Sequence, residues 1–93
     1  MRLTADQLDV IRQEVRRLDP EAAVYLFGSR VDDGRRGGDI DLLIFSGVIT
    51  ERLKRRLRLA LYDRLGEQKI DIVVARDERD PFVRMAKQQG VSL

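Results

Sequence analysis

The chain predicts a small α/β fold, and two observations carry that expectation. Three short apolar runs, residues 22–27, 39–45 and 69–75, are set among segments whose apolar residues recur at helical spacing. The middle run is apolar on both faces apart from its aspartates, so helices should cover both sides of the sheet it belongs to. At 93 residues the chain is expected to form one domain, residues 1–93, around a single core.

Each element has its own signal. Thr4-Ala5-Asp6-Gln7 has the form of a capping box, and Leu8, Ile11, Val15 and Leu18 continue it as a helix that Asp19-Pro20 stops. Residues 22–27 are short, apolar and partly β-branched, which reads as a buried strand. Residues 28–38 carry four glycines and several charges and read as a loop. In the next strand Asp39, Asp41, Leu43 and Phe45 share one face, and Ile40, Leu42 and Ile44 the other.

Thr50 caps a second helix, with Leu53, Leu57, Leu61 and Leu65 as its stripe and Gly66 as its stop. In the third strand Asp71, Val73 and Ala75 face one way and Ile70, Ile72 and Val74 the other. Asp80-Pro81 opens a last helix, with Phe82, Met85 and Ala86 as its apolar face and Gly90 as its stop. The expected order is αβ-loop-βαβα.

Composition excludes several chemistries. Without cysteine there is no disulfide framework, zinc-thiolate site or thiol nucleophile, and without histidine there is no Ser-His-Asp triad or imidazole-held metal. Any metal must be held by oxygen, which favours Mg²⁺ or Mn²⁺. No apolar run is long enough to cross a bilayer and no signal peptide is visible, so a soluble, cytoplasmic protein is expected.

The chemistry-bearing residues fall in three places. Gly28-Ser29-Arg30 directly follows a buried strand, where a glycine lets backbone N–H groups approach phosphate oxygens. The Ser29 hydroxyl and Arg30 guanidinium add donors suited to phosphate. Asp39 and Asp41 lie two positions apart on one strand face, about 6–7 Å apart at their Cα atoms, so their oxygens can converge on a cation. Asp71 interrupts an apolar strand and reaches the same face if that strand lies beside the second. The plainer alternative is that Asp71 pairs with Arg30 or Lys69. Neither Gly-Ser-Arg nor Asp-x-Asp alone separates a site from ordinary turn or surface chemistry, but their combination does. Three carboxylates beside a phosphate-binding turn suit metal-assisted phosphoryl or nucleotidyl transfer. The Walker-type and dinucleotide-type glycine motifs are both missing.

Phe27-Gly28-Ser29-Arg30, Gly38-Asp39-Ile40-Asp41-Leu42 and Ile70-Asp71-Ile72-Val73 resemble the motifs of the polymerase-β-like nucleotidyltransferase superfamily. More narrowly, the chain resembles its minimal nucleotidyltransferase (MNT) branch. The resemblance implies a mixed, twisted sheet flanked by helices, Mg²⁺ as cofactor (two ions), ATP as donor and pyrophosphate as leaving group. It also implies an antitoxin role beside an all-helical HEPN toxin from the adjacent gene, with AMP moved to a tyrosine of that toxin; the alternatives are an antitoxin that neutralises its partner by binding alone and a stand-alone nucleotidyltransferase acting on a small molecule or an RNA end. By position, Gly28, Ser29 and Arg30 fall at the nucleotide-binding turn, and Asp39, Asp41 and Asp71 at the metal-binding, catalytic carboxylates. One departure stands out. Val31-Asp32-Asp33-Gly34 replaces the small and basic residues usual there, and Arg35 and Arg36 are the candidates to restore positive charge.

Arg52, Lys54, Arg55, Arg56, Arg58 and Arg64 crowd the second helix. They form either a solvated face or a docking surface for an acidic partner or an RNA, a partner protein being favoured. With no aromatic interleaved, base stacking on them is not expected. Larger members of the resembled superfamily add a helical domain that completes the acceptor site, so for this short chain the resemblance implies an acceptor expected to arrive as another protein, in a hetero-oligomer.

Overall fold

The computed structural model describes residues 3–28, 40–66 and 68–93. Seven elements follow one another: α1 (Ala5–Leu18), β1 (Ala23–Phe27), β2 (Ile40–Phe45), α2 (Glu51–Leu65), β3 (Ile70–Ala75), α3 (Pro81–Gln89) and β4 (Val91–Ser92). The strands form one mixed sheet in the order β3-β2-β1-β4, which is the helix-flanked α/β class expected.

Local signals set the helix ends. In α1 the Thr4 hydroxyl accepts from Gln7 N–H at 3.1 Å, while the Gln7 side chain accepts from Thr4 N–H at 2.9 Å. This reciprocal box satisfies two of the donors that a helix start leaves open. Thr50 and Asp80 cap α2 and α3, accepting from Leu53 and Phe82 N–H respectively. Gly66, at φ 88°, ends α2.

β2 is the centre of the sheet. It pairs antiparallel with β1 and parallel with β3, and Ile40, Leu42, Leu43 and Ile44 are all fully buried. Because parallel neighbours need a crossover, the chain between β2 and β3 is the helix α2. One sheet face, built from Val24, Leu26, Leu42, Ile44, Ile70 and Ile72, packs against Ile11 and Val15 of α1 and Leu57 and Leu61 of α2. On the other, Leu43 packs with Val83 and Ala86 of α3, flanked by Tyr25, Phe27, Phe45, Val73 and Ala75. Both faces are therefore covered, as the two-sided apolar pattern of β2 requires.

Two expectations need correction. α3 turns Val83 and Ala86 to the sheet, whereas Phe82 and Met85 are each 45% exposed. Ala86 belongs to both candidate stripes, and the stripe with the smaller partner lets the helix axis come closer to Leu43. The chain also does not end on a helix. β4 pairs antiparallel with β1, Tyr25 opposite Ser92 and Leu26 opposite Val91. A strand of two residues has no periodicity to read, and it exists because β1 offers an edge. Gly90 permits this return: a Cβ there would meet the Ala86 carbonyl oxygen at 2.6 Å and the Leu26 carbonyl oxygen at 2.9 Å.

A buried polar knot ties α1 to the β2–α2 connection. Ser46 Oγ donates to Asp19 Oδ2 at 2.6 Å and accepts from the backbone N–H of Val48 and Ile49, each at 3.1 Å. Asp19 Oδ1 in turn accepts from Glu21 N–H. Only 7% of either Asp19 or Ser46 is exposed. Removing the Ser46 hydroxyl leaves a buried carboxylate and two N–H groups short of a partner. Ser46→Ala is therefore expected to cost about 2–3 kcal/mol of folding stability, read as a lower urea midpoint at unchanged slope.

Candidate active site

The parallel register of β2 and β3 builds the site. Asp41 stands directly opposite Asp71, each one residue inside the start of its strand. Neighbouring strands run about 4.8 Å apart, so the two side chains leave the same sheet face side by side. On the other side of β2, Asp41 is paired with Phe27, the last residue of β1, so the chain leaving β1 enters Gly28 next to the Asp41 carboxylate. Gly28 has a φ of 78°, and a Cβ on it would collide with Asp41 Oδ2. Both facts call for glycine, one through backbone strain and the other through close approach. The end of β1 and the starts of β2 and β3 thus meet at one end of the sheet.

Three of the six expected site residues can be placed. Gly28, Asp41 and Asp71 come together; Ser29, Arg30 and Asp39 lie outside the described residues, as do Val31, Asp32, Asp33, Arg35 and Arg36. Among the described residues no group of three carboxylates, cysteines or histidines could hold a metal ion. Asp41 and Asp71 supply two carboxylates.

The environment of the two aspartates differs from the expectation in one respect. The Asp71 side chain is half exposed, so burial does not penalise it as its apolar strand suggested. Its pairing with Lys69 is weak: Nζ lies 4.0 Å from Asp71 Oδ2, at the limit of an ion pair, with the two side chains 69% and 50% exposed. What remains unusual is two carboxylates in register on neighbouring strands, an arrangement that like-charge repulsion disfavours.

That donor set suits a hard divalent cation. Carboxylate oxygens are the ligands Mg²⁺ and Mn²⁺ prefer, a cation between the two carboxylates offsets their repulsion, and the Cβ-free approach of Gly28 leaves backbone beside them for phosphate oxygens.

The basic helix is divided in its use. Arg64 reaches Glu14 at 3.0 Å and Gln13 at 3.1 Å, joining α2 to α1, and Lys54 pairs with Glu51 at 3.5 Å. Arg52, Arg55, Arg56 and Arg58 are exposed and form no ion pair among the described residues. Tyr62, one turn from Arg58, is 45% exposed, so an aromatic does stand among these arginines after all. Arg58 and Tyr62 line a groove of about 350 Å³ together with Gln68, Lys69, Ile70 and Asp71. Their i, i+4 spacing was visible in the sequence; that the helix brings them to Asp71 was not.

A mixed sheet with helices on both faces, and paired carboxylates beside a glycine that follows a strand at one end of the sheet, define a nucleotidyl-transfer type of site. Residues 8–91 match the family model described as nucleotidyltransferase domain, and the chain belongs to that family. No curated protein matches it closely enough to count as a relative. Nucleotidyl transfer is the activity that membership supports. Among the described residues no helix is long and apolar enough to cross a membrane.

Replacing Gly28 separates its role from that of an ordinary loop glycine. Gly28→Ala is expected to lose about 1–2 kcal/mol of stability from its backbone conformation and to displace Asp41. Gly47→Ala, where an added Cβ meets nothing within 4 Å, should stay close to the unsubstituted protein. Urea unfolding compares the two, and loss of transfer activity in Gly28→Ala alone reports the displaced carboxylate.

Proposed function

We infer that this chain is a Mg²⁺-dependent nucleotidyltransferase that moves AMP from ATP to a hydroxyl of a partner protein. The hydroxyl is a tyrosine's, the partner is the HEPN toxin of the adjacent gene, and the chain acts as its antitoxin. The observation that carries the transfer chemistry is the register of Asp41 opposite Asp71 with Gly28 against the first. The partner and the tyrosine follow from the MNT resemblance of the three motifs.

Asp41 and Asp71, with Asp39, would hold the metal, which when bound supplies charge compensation for the triphosphate. Gly28, with Ser29 and Arg30, orients the phosphates by backbone and side-chain donors, so positioning supplies much of the rate. Half-exposed Asp71, on the outer strand, is the carboxylate an incoming hydroxyl reaches and is placed to take its proton. The acceptor oxygen forms a bond to the α-phosphorus while the bond to pyrophosphate breaks.

The intact mass of the neighbouring gene's product tests the reading, after co-expression with this chain or with its Asp39→Asn, Asp41→Asn variant. A gain of one or more AMP masses with the unsubstituted chain alone is expected. A stable complex without any gain sinks the catalytic reading and leaves neutralisation by binding.

Asp71→Asn supplies a sharper expectation. Transfer of labelled AMP should fall by about 10²-fold or more, the usual scale for losing a positioned proton acceptor. Folding stability should hold or rise slightly, because one of two facing charges is gone. Urea unfolding of the two proteins checks the second half.

A further inference from the structure

β3 is an outer strand, with β2 against only one of its edges. The Lys69 carbonyl accepts from Ile40 N–H and the Ala75 carbonyl from Ser46 N–H, each at 3.0 Å. Strand alternation therefore turns the backbone groups of Ile70, Ile72 and Val74 away from β2. Among the described residues no strand pairs with them. The register against β2 runs unbroken from Ile70 to Ala75, so there is no bulge, and Asp71 is the one charged residue in the strand. Between Ile70 and Ala75 the edge thus has neither a proline nor a bulge, two of the devices by which sheets discourage pairing with other chains, and its charges are Asp71 and, just before the strand, Lys69. Beside it lies the groove of about 350 Å³ whose cations are Arg58 and Lys69 and whose aromatic is Tyr62, with Asp71 on its border.

We propose that the β3 edge and this groove receive an acidic, extended segment of a partner protein, a tail or inter-helix loop where that partner is helical, as an additional strand, bringing its hydroxyl to Asp71. The idea rests on the transfer reading only for what the segment delivers; the binding stands on the edge and the groove. Main-chain pairing along Ile70, Ile72 and Val74 supplies affinity, and the groove selects side chains. Arg58, which forms no ion pair among the described residues, favours an acidic residue there. RNA has no alternating backbone donors and acceptors to match a strand, and binds through a track of phosphates that so small a groove does not offer. The added strand runs past Asp71, so alternate side chains of the segment leave on the Asp41–Asp71 face.

The test is a titration of the ¹⁵N-labelled chain, without nucleotide, against an acidic decapeptide of alternating glutamate and valine with one central tyrosine. Amide signals of Ile70, Ile72 and Val74 should shift and gain protection from solvent exchange. Methylating alternate backbone nitrogens of the peptide should abolish the effect. Arg58→Glu with Lys69→Glu should weaken binding about tenfold, as reversed rim charges do, whereas Arg55→Glu, outside the groove, should not. The proposal is overturned if millimolar peptide leaves the β3 amides unmoved or a lysine-for-glutamate peptide binds equally. It also falls if ten-nucleotide uridine RNA, or a higher protein concentration alone, produces the same shifts. No turnover enters this readout, so it can fail while AMP transfer stands, and the reverse.

Discussion

The parallel register of β2 against β3 is the constraint on which the rest of the site depends. Each strand has an aspartate one residue inside its start, and both have apolar residues on the two faces beyond it. With Ile40 opposite Ile70, every later pair also matches in face, so Asp41 and Asp71 emerge together while Leu42 and Ile72 enter the α1–α2 core. A slip of one residue would put an aspartate of one strand beside isoleucines facing that core. The hydrophobic pattern that stabilises the sheet therefore also aligns the carboxylates. No separate interaction is needed to bring them together.

The surroundings hold that register from one side and leave it open on the other. Behind the sheet, α1 and α2 are locked to each other by Arg64 on Glu14, and α1 is locked to the end of β2 by Ser46 on Asp19. In front, α3 packs through Val83 and Ala86 onto Leu43, and Phe82 meets Phe27 edge-on, with ring centroids 5.8 Å apart. Asp71 stays exposed beside this cover. A rigid back and a partly open front are what a site needs when two substrates must meet on one sheet face.

Two like charges in register work against folding, and a turn that admits only glycine narrows the sequences the site accepts. Both features break local rules of stability. Such conflicts gather at functional sites, where the compensating gain appears on binding rather than on folding. An outer strand with little to protect its edge belongs to the same category.

The sequence by itself determined most of the framework. Thr4 with Gln7, Thr50, and Asp80 with Pro81 announce helix starts through local chemistry, and Leu57 and Leu61 announce the buried stripe of α2 through spacing. Strand alternation placed Asp41 and Asp71 each on a definite face. These signals are local, so they survive without knowledge of neighbours. Tertiary structure alone decided the rest, because the deciding partner lies far along the chain. β4 is a strand only because β1 offers an edge; Val83 displaces Phe82 from the inner face of α3 only because Leu43 is what it meets. Ser46 finds Asp19 across 27 positions. That Asp41 faces Asp71 depends on which strands are neighbours and in what register, and no single strand carries that information.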